Sequence, residues 1–426
     1  MAHAPDLDHD YPLSEVPPGA RKGLLSTSIL LFGFTFFTAT MFAGGKMGLA
    51  LDFKTLIWAA IAGNLLLGLY AAVLSLIACR SGLNSVLMGR FCFGETGSKL
   101  SDFLLGFTQI GWYAWGTATI ALVLVKMLSL PTSWTIPLMV LFGFGFSLTA
   151  FVGYKGLDLL SRVAVPAMLA LLVWSLWLAT RDVGGLDGLL AIQPKESMSW
   201  HMAITLVFGT FVSGATQATN WTRFARNGKT AVLSSLVGFF IGNGLMIVVG
   251  AYGAMVYQQP DIVEVMVLQG LSIAAVVMLF LNLWTTQDNT IYNFAAAGCN
   301  LVRQDRRGTI TLVGAGIGTL LAIAGMSDML IPFLILLGSI IPPIGGVIMA
   351  DFFHARQGRY PQLSTTTLPR FNWVGLGAYA IGAVCAYVSP WVAPLVGIGV
   401  AALSYVVLFE IQRVRIARQQ LGSVSA

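Results

Sequence analysis

Residues 282–289, NLWTTQDN, place amide and hydroxyl oxygens at helical spacing inside an apolar segment. On a helix, Asn282, Thr285, Thr286 and Asn289 fall within about 100° of one another. Neutral oxygen ligands suit a hard cation such as Na+. The same groups also bond neighbouring helices in membranes, so spacing alone leaves both uses open. Asp288 is an acid within a hydrophobic segment, and such residues are functional suspects by default. It can be a proton carrier, the partner of a polar neighbour or a helix-stabilising buried acid. Gln287 points away from the stripe.

A second set lies in FTQIGWYAWG, Phe107–Gly116, where Gln109, Trp112, Tyr113 and Gly116 share one helical face. An indole offers a stacking plane to a flat heteroaromatic ring, and an amide three residues away offers donors and an acceptor to its edge. Phe211 can supply a second plane. Ordinary aromatic packing competes with this reading, since the chain has 11 Trp and 26 Phe. Phe211 belongs to FGTFVSGATQATNW, Phe208–Trp221, where Gly209, Gly214, Thr210, Ser213, Thr216 and Gln217 make a poor lipid-facing helix. Irregular backbone at membrane depth is tolerated only where it lines a cavity or is buried in protein. The stretch therefore reads as the broken helix of a transporter.

The elements that position these groups must cross a bilayer. The 426 residues are 56% hydrophobic and 10% charged, against about 25% charged in soluble domains. Twelve apolar segments approach the ~20 residues that a span requires: 24–44, 55–79, 101–127, 134–153, 157–180, 201–221, 230–256, 270–297, 309–325, 328–350, 372–389 and 391–410. Nineteen of the 24 Lys and Arg fall in one set of loops and the tails; Lys46, Lys54, Lys126, Arg181 and Lys195 fall in the other. That asymmetry places both termini in the cytoplasm. The net charge of +6 is thus topology and not nucleic-acid binding. Asp102, at the start of the third span, reads as a helix cap or interfacial residue. Four unpaired cysteines and four scattered histidines, His3 and His9 among them, indicate neither a disulfide framework nor a metal site. The polar, acidic N-terminus is no signal peptide. No cofactor is expected.

FGFTFFTAT (Phe32–Thr40) and FGTFVSGAT (Phe208–Thr216) match at four of nine positions. They lie five spans apart and so run in opposite directions, as an inverted repeat with interrupted first helices would arrange them. The expected layout is an N-terminal tail over 1–23, repeats over 24–180 and 201–350, two peripheral spans within 372–410, and a cytoplasmic tail over 411–426.

Several stretches together resemble the nucleobase–cation symporter family 1, and within it the bacterial cytosine permeases: ARKGLL (Ala20–Leu25), FTFFTATMFAGG (Phe34–Gly45), GNLLLGLY (Gly63–Tyr70), TQIGW (Thr108–Trp112), GTFVSGAT (Gly209–Thr216), RFARN (Arg223–Asn227), NLWTTQDN (Asn282–Asn289) and IPPIGGVIMADFF (Ile341–Phe353). The resemblance implies an all-α integral membrane protein of twelve helices, with a five-plus-five inverted repeat like that of the sodium-coupled amino-acid transporters. It implies Na+-driven uptake of cytosine across the bacterial inner membrane. Carried over by position, Trp112 and Phe211 sandwich the base, Gln109 reads its edge, and Thr210, Ser213 and Gln287 contact it. The carbonyls of Gly33, Phe36, Phe37 and Asn282 and the hydroxyls of Thr285 and Thr286 hold Na+. Two positions depart from the family pattern. Gln287 stands where an asparagine is expected, and Thr210 where a serine is. Both reduce free volume, which leaves open H+-coupled import of another nucleobase, a hydantoin or a thiamine-precursor pyrimidine. A membrane enzyme would need clustered acids, a His pair or a nucleophile with its base, and none is visible; a channel is the remaining rival.

Overall fold

The computed structural model describes residues 11–424. His3, His9 and the rest of the first ten residues lie outside the described residues, as do Ser425 and Ala426. All regular structure described is helical. The chain begins with α1 (Leu24–Thr35), α2 (Thr38–Ala50), α3 (Phe53–Ser81), α4 (Ser85–Phe93), α5 (Ser98–Met127), α6 (Thr135–Gly145), α7 (Ser147–Val152) and α8 (Tyr154–Asp182), followed by α9 (Gly185–Ala191). It continues with α10 (Trp200–Gln217), α11 (Thr219–Thr222), α12 (Gly228–Ser235), α13 (Asn243–Tyr257), α14 (Ile262–Leu268), α15 (Ser272–Val302), α16 (Arg307–Ile323), α17 (Leu330–Ile340) and α18 (Pro342–Ala350). Then come α19 (Trp373–Val388) and α20 (Ala393–Val424).

Among the described residues, eight helices are long and apolar enough to cross a membrane, or nine if the bent pair α1–α2 is one span. Helices α16 and α19 are apolar but shorter, with 17 and 16 residues. Helix α15 has 31 residues, and its polar stripe lowers its hydropathy. Three short helices, α4, α9 and α14, lie between the expected spans. The C-terminal segment is helical through Val424, past the boundary expected at 410. Its Arg and Gln run is a good helix former and contains no breaker.

Both expected breaks are present, one residue apart in the repeat alignment. In the first span, Phe36 and Phe37 leave helical geometry and α1 meets α2 at 57°. In the sixth, α10 kinks at Phe211 (φ −133°, ψ 16°). Packing obeys the same symmetry. α2 packs on α13 and, in mirror fashion, α10 packs on α3; α5 crosses α15 at the centre; α8 touches α1 as α17 touches α10.

The α2–α13 contact is backbone against backbone. A Cβ on Gly48 would stand 2.3 Å from the Ala251 carbonyl oxygen, and one on Gly250 would stand 1.9 Å from that of Met41. Nothing flexible can yield there. Gly250→Val is expected to force the helices apart at a cost of about 1–3 kcal/mol, as overpacking does. A lowered unfolding midpoint of purified protein checks this, and an unchanged midpoint would refute the close approach.

On the side where α3 and α15 end, residues 11–22 form a strap. Val16 N–H donates to the Gly82 carbonyl, Lys22 N–H to that of Phe224, and the buried Arg223 guanidinium to that of Tyr11. Asp102 is no cap. It is buried, accepts from Asn300 at 2.8 Å and stands 3.9 Å from Arg303. It therefore ties the start of α5 to the end of α15.

Candidate substrate and cation site

A cavity lies where α1, α2, α5, α10 and α15 meet. Its wall includes Gln109, Trp112, Thr210, Phe211, Ser213 and Thr286, together with Phe34, Phe37, Gly214 and Thr290. Helix geometry explains the α5 contribution. Gln109 and Trp112 are one turn apart and face inward. Tyr113, about 100° further round, turns away and donates to the Gly143 carbonyl on α6 at 2.6 Å. The face expected to contain all four residues is therefore split.

The free volume is about 10 Å³, about that of one water-sized probe, so the rings nearly close on one another. Trp112 and Phe211 both line the cavity, but Phe37 stands against both, edge to face, at centroid distances of 5.3 and 6.1 Å. Phe34 meets Phe211 at 5.0 Å in the same manner. This aromatic closure needs Gly214, where a Cβ would stand 2.7 Å from the Phe211 ring and 2.8 Å from that of Phe34. Trp112 donates its indole N–H to Ser213 at 3.3 Å. Gln109 is 1% exposed and its Nε2 has no hydrogen-bond partner among the described residues. Its amide is thus a buried donor without an acceptor, and such groups call for an explanation.

Two expected substrate contacts are placed differently. Gln287 does not line the cavity: it packs on Gly116, and its Nε2 donates to the Tyr113 carbonyl at 2.5 Å. One position along α15 from Thr286, it is rotated towards α5 and away from the break. Thr210 does line the cavity, but its hydroxyl donates to the Val207 carbonyl at 2.7 Å and accepts from Asn243 at 3.1 Å. A hydroxyl bonded on both sides has little left for a ligand.

The α15 stripe faces the break in α1–α2. Thr286 donates to the Phe36 carbonyl at 2.8 Å, and Thr285 to that of Asn282 at 3.1 Å. The Gly33 carbonyl accepts from Phe36 N–H at 3.3 Å. The Phe37 carbonyl, in contrast, accepts from the amides of Thr40 and Met41, since Phe37 caps α2. It is therefore committed to the helix. Asn289 is also turned inward on its own helix, donating to the Thr285 carbonyl and to Asp288. Asn282 does more than a backbone ligand would: its Oδ1 accepts from Thr38 N–H at 2.8 Å and from the Thr38 hydroxyl at 2.6 Å. It supplies across the bundle the acceptor that the break took from the start of α2. Asp288 accepts from Thr149 at 3.0 Å and from Asn289 at 3.0 Å, so its carboxylate faces α7 and not the cavity.

Sequence reasoning missed Phe34, Thr38, Thr290 and the ring of Phe37, a residue it had placed only as a carbonyl ligand of Na+. Thr290 had a signal, since Thr286, Thr290, Asn293 and Asn300 continue one face of α15. The phenylalanines had none in a chain with 26 of them.

A family model described as permease for cytosine/purines, uracil, thiamine, allantoin matches residues 15–408. The cytosine permease of Escherichia coli strain K12 is 38% identical over 401 residues, 94% of each chain. The hydantoin permease of Microbacterium maritypicum is 24% identical, over 90% of this chain and 85% of that one. Among solved structures, Mhp1 is a nucleobase-cation-symport-1 family transporter, solved in a closed conformation with bromovinylhydantoin bound. It superposes with a TM-score of 0.84 at 21% identity, covering 93% of this chain and 94% of that one. That likeness shows the fold, a five-plus-five inverted repeat with peripheral helices. The chain is a multi-pass membrane transporter and not an enzyme, and it belongs to the family of permeases for cytosine, purines, uracil, thiamine and allantoin.

Proposed function

We propose that this permease imports a neutral nucleobase, cytosine foremost, by Na+ symport with alternating access. It does so in the bacterial inner membrane, with both termini cytoplasmic. The observation that carries this reading is the meeting of two sets of groups. Gln109, Trp112, Phe211 and Ser213 converge on the cavity in which Thr286 reaches across to the broken first span. Trp112 and Phe211 flank the base once Phe37 swings out from between them. The Gln109 amide reads the edge, and Ser213 is released from the indole to contact the ring. The carbonyls of Gly33, Phe36 and Asn282 and the hydroxyls of Thr285 and Thr286 hold the cation, so one helix, α15, serves both ligands.

The units spanning 24–180 and 201–350 act as the two repeats, with 372–410 peripheral. Within them, the first two spans of each repeat rock against the third and fourth. Each Na+ that moves inward contributes about 2.3 kcal/mol per 100 mV, which is sufficient to concentrate an uncharged base. The test is a thermal-shift screen of purified protein against cytosine, uracil, hydantoin and thiamine-precursor heterocycles, with and without Na+. Stabilisation by cytosine that deepens with Na+ is expected. Stabilisation by another heterocycle alone would replace the substrate, and indifference to Na+ would replace the ion.

One observation favours a second reading. Asp288 is fully buried and both its side-chain partners are neutral, as a proton-carrying acid would be. Under H+ coupling, uptake follows pH at fixed Na+ and Asp288→Asn abolishes the gradient dependence. Under Na+ coupling, Asp288→Asn keeps the Na+ dependence.

A further inference from the structure

Four amide side chains run in series away from the cavity. Gln109 Oε1 accepts from Asn293 at 3.4 Å, Asn293 Oδ1 accepts from Asn220 at 2.7 Å, and Asn220 Oδ1 accepts from Asn84 at 2.7 Å. Asn84 Oδ1 in turn accepts from the Leu87 amide at the start of α4. None of the four is more than 2% exposed. The column leads towards the ends of α3 and α15, which carry Arg80 and Arg303. By the basic-loop asymmetry this is the cytoplasmic side.

A second aromatic pair accompanies the amides. Trp221 follows Asn220 and Tyr292 precedes Asn293; their rings are stacked, with planes 23° apart and centroids 6.3 Å apart. Trp221 also touches the cavity wall at Phe34, at 4.9 Å. Its indole N–H is fully buried and has no hydrogen-bond partner among the described residues. Two rings and two amides thus recur one step below the cavity, roughly 10 Å along α15 from Thr286 to Asn293 at 1.5 Å per residue. A planar heterocycle leaving a polar pocket through an apolar wall would shed its edge hydrogen bonds at high cost. Along this column it exchanges them, since each amide can release its neighbour and take the base edge, with little net change.

We propose that Asn220, Trp221, Tyr292 and Asn293 form a second, transient subsite for the transported heterocycle, occupied on its way from the cavity to the cytoplasm. This rests on the base-transport reading above. It predicts an asymmetry that glue between helices would not produce: the subsite is met first by a base arriving from the cytoplasm.

The experiment uses full-length protein reconstituted in proteoliposomes of defined orientation, with labelled cytosine, uracil or hydantoin as probe. Asn293→Leu removes one amide at similar volume. Trp221→Phe, a milder change, keeps a ring and removes the indole N–H. For Asn293→Leu the KM measured from the cytoplasmic side is expected to rise about fivefold to tenfold, the range of one lost hydrogen bond, and the external KM to stay within about twofold. Trp221→Phe is expected to raise the cytoplasmic KM about threefold. If Asn293→Leu does not fold, as judged by its unfolding midpoint, Trp221→Phe carries the test. Equal changes on both sides, or none on either, overturn the subsite while leaving transport intact. A wild type that exchanges none of the three probes overturns the transport reading and the subsite with it.

Discussion

Replacing Trp112 with alanine is expected to weaken base binding by about thirtyfold, within the 1–3 kcal/mol that stacking a base on an aromatic side chain is worth. The indole is one wall of the cavity and holds Ser213 through its N–H. It also packs edge on against Phe37 and Phe333. Alanine removes the stacking plane, frees the serine and loosens Phe37. Trp112→Phe keeps a plane and loses only the N–H, so its effect should be a few-fold, the worth of one hydrogen bond. Equilibrium binding of labelled base at saturating Na+ separates the two variants. An alanine variant with wild-type affinity would remove Trp112 from the site.

Thr285→Ala combined with Thr286→Ala is expected to raise the Na+ concentration for half-maximal uptake by tenfold or more, each lost hydroxyl being worth about 1 kcal/mol. The effect must appear twice. Coupling between two ligands is reciprocal, so whatever the variant takes from the gain in base affinity conferred by Na+ it must take equally from the gain in Na+ affinity conferred by the base. Thr285→Ala alone is the cleaner variant, because Thr285 does not line the cavity whereas Thr286 does. Retained Na+ stimulation in the double variant would place the cation elsewhere.

The two breaks were legible because glycine and threonine crowd into apolar segments only for a reason, and because the two segments resemble each other. The inward face of Gln109 and Trp112 was legible from spacing. Gln287 shows where transfer by resemblance and helix geometry disagree. Geometry set it opposite the Asn282–Thr286 stripe, the family pattern set it at the substrate, and the structure follows geometry. The rest was hidden because it depends on contacts between distant segments. Nothing local to Phe37 says that its ring falls between Trp112 and Phe211. Nothing local to Asn282 says that its side chain caps a helix 244 residues away. The three short helices escaped because a search for spans passes over segments of seven to nine residues.

The amide column from Gln109 to Asn84 has an electrical consequence. Amides carry dipoles but no net charge at any physiological pH, and here they are buried and bonded to one another. The amide column itself therefore offers no fixed charge to draw ions and no titrating group to pass protons along. The charges beside it are those of Arg223, which donates to the Asn220 carbonyl, and Arg307, over the Tyr292 ring. A neutral base travelling the column displaces no charge of its own. Whatever current accompanies transport must then be borne by the coupling ion. The number of elementary charges moved per base, read as current against flux, becomes a direct count of those ions.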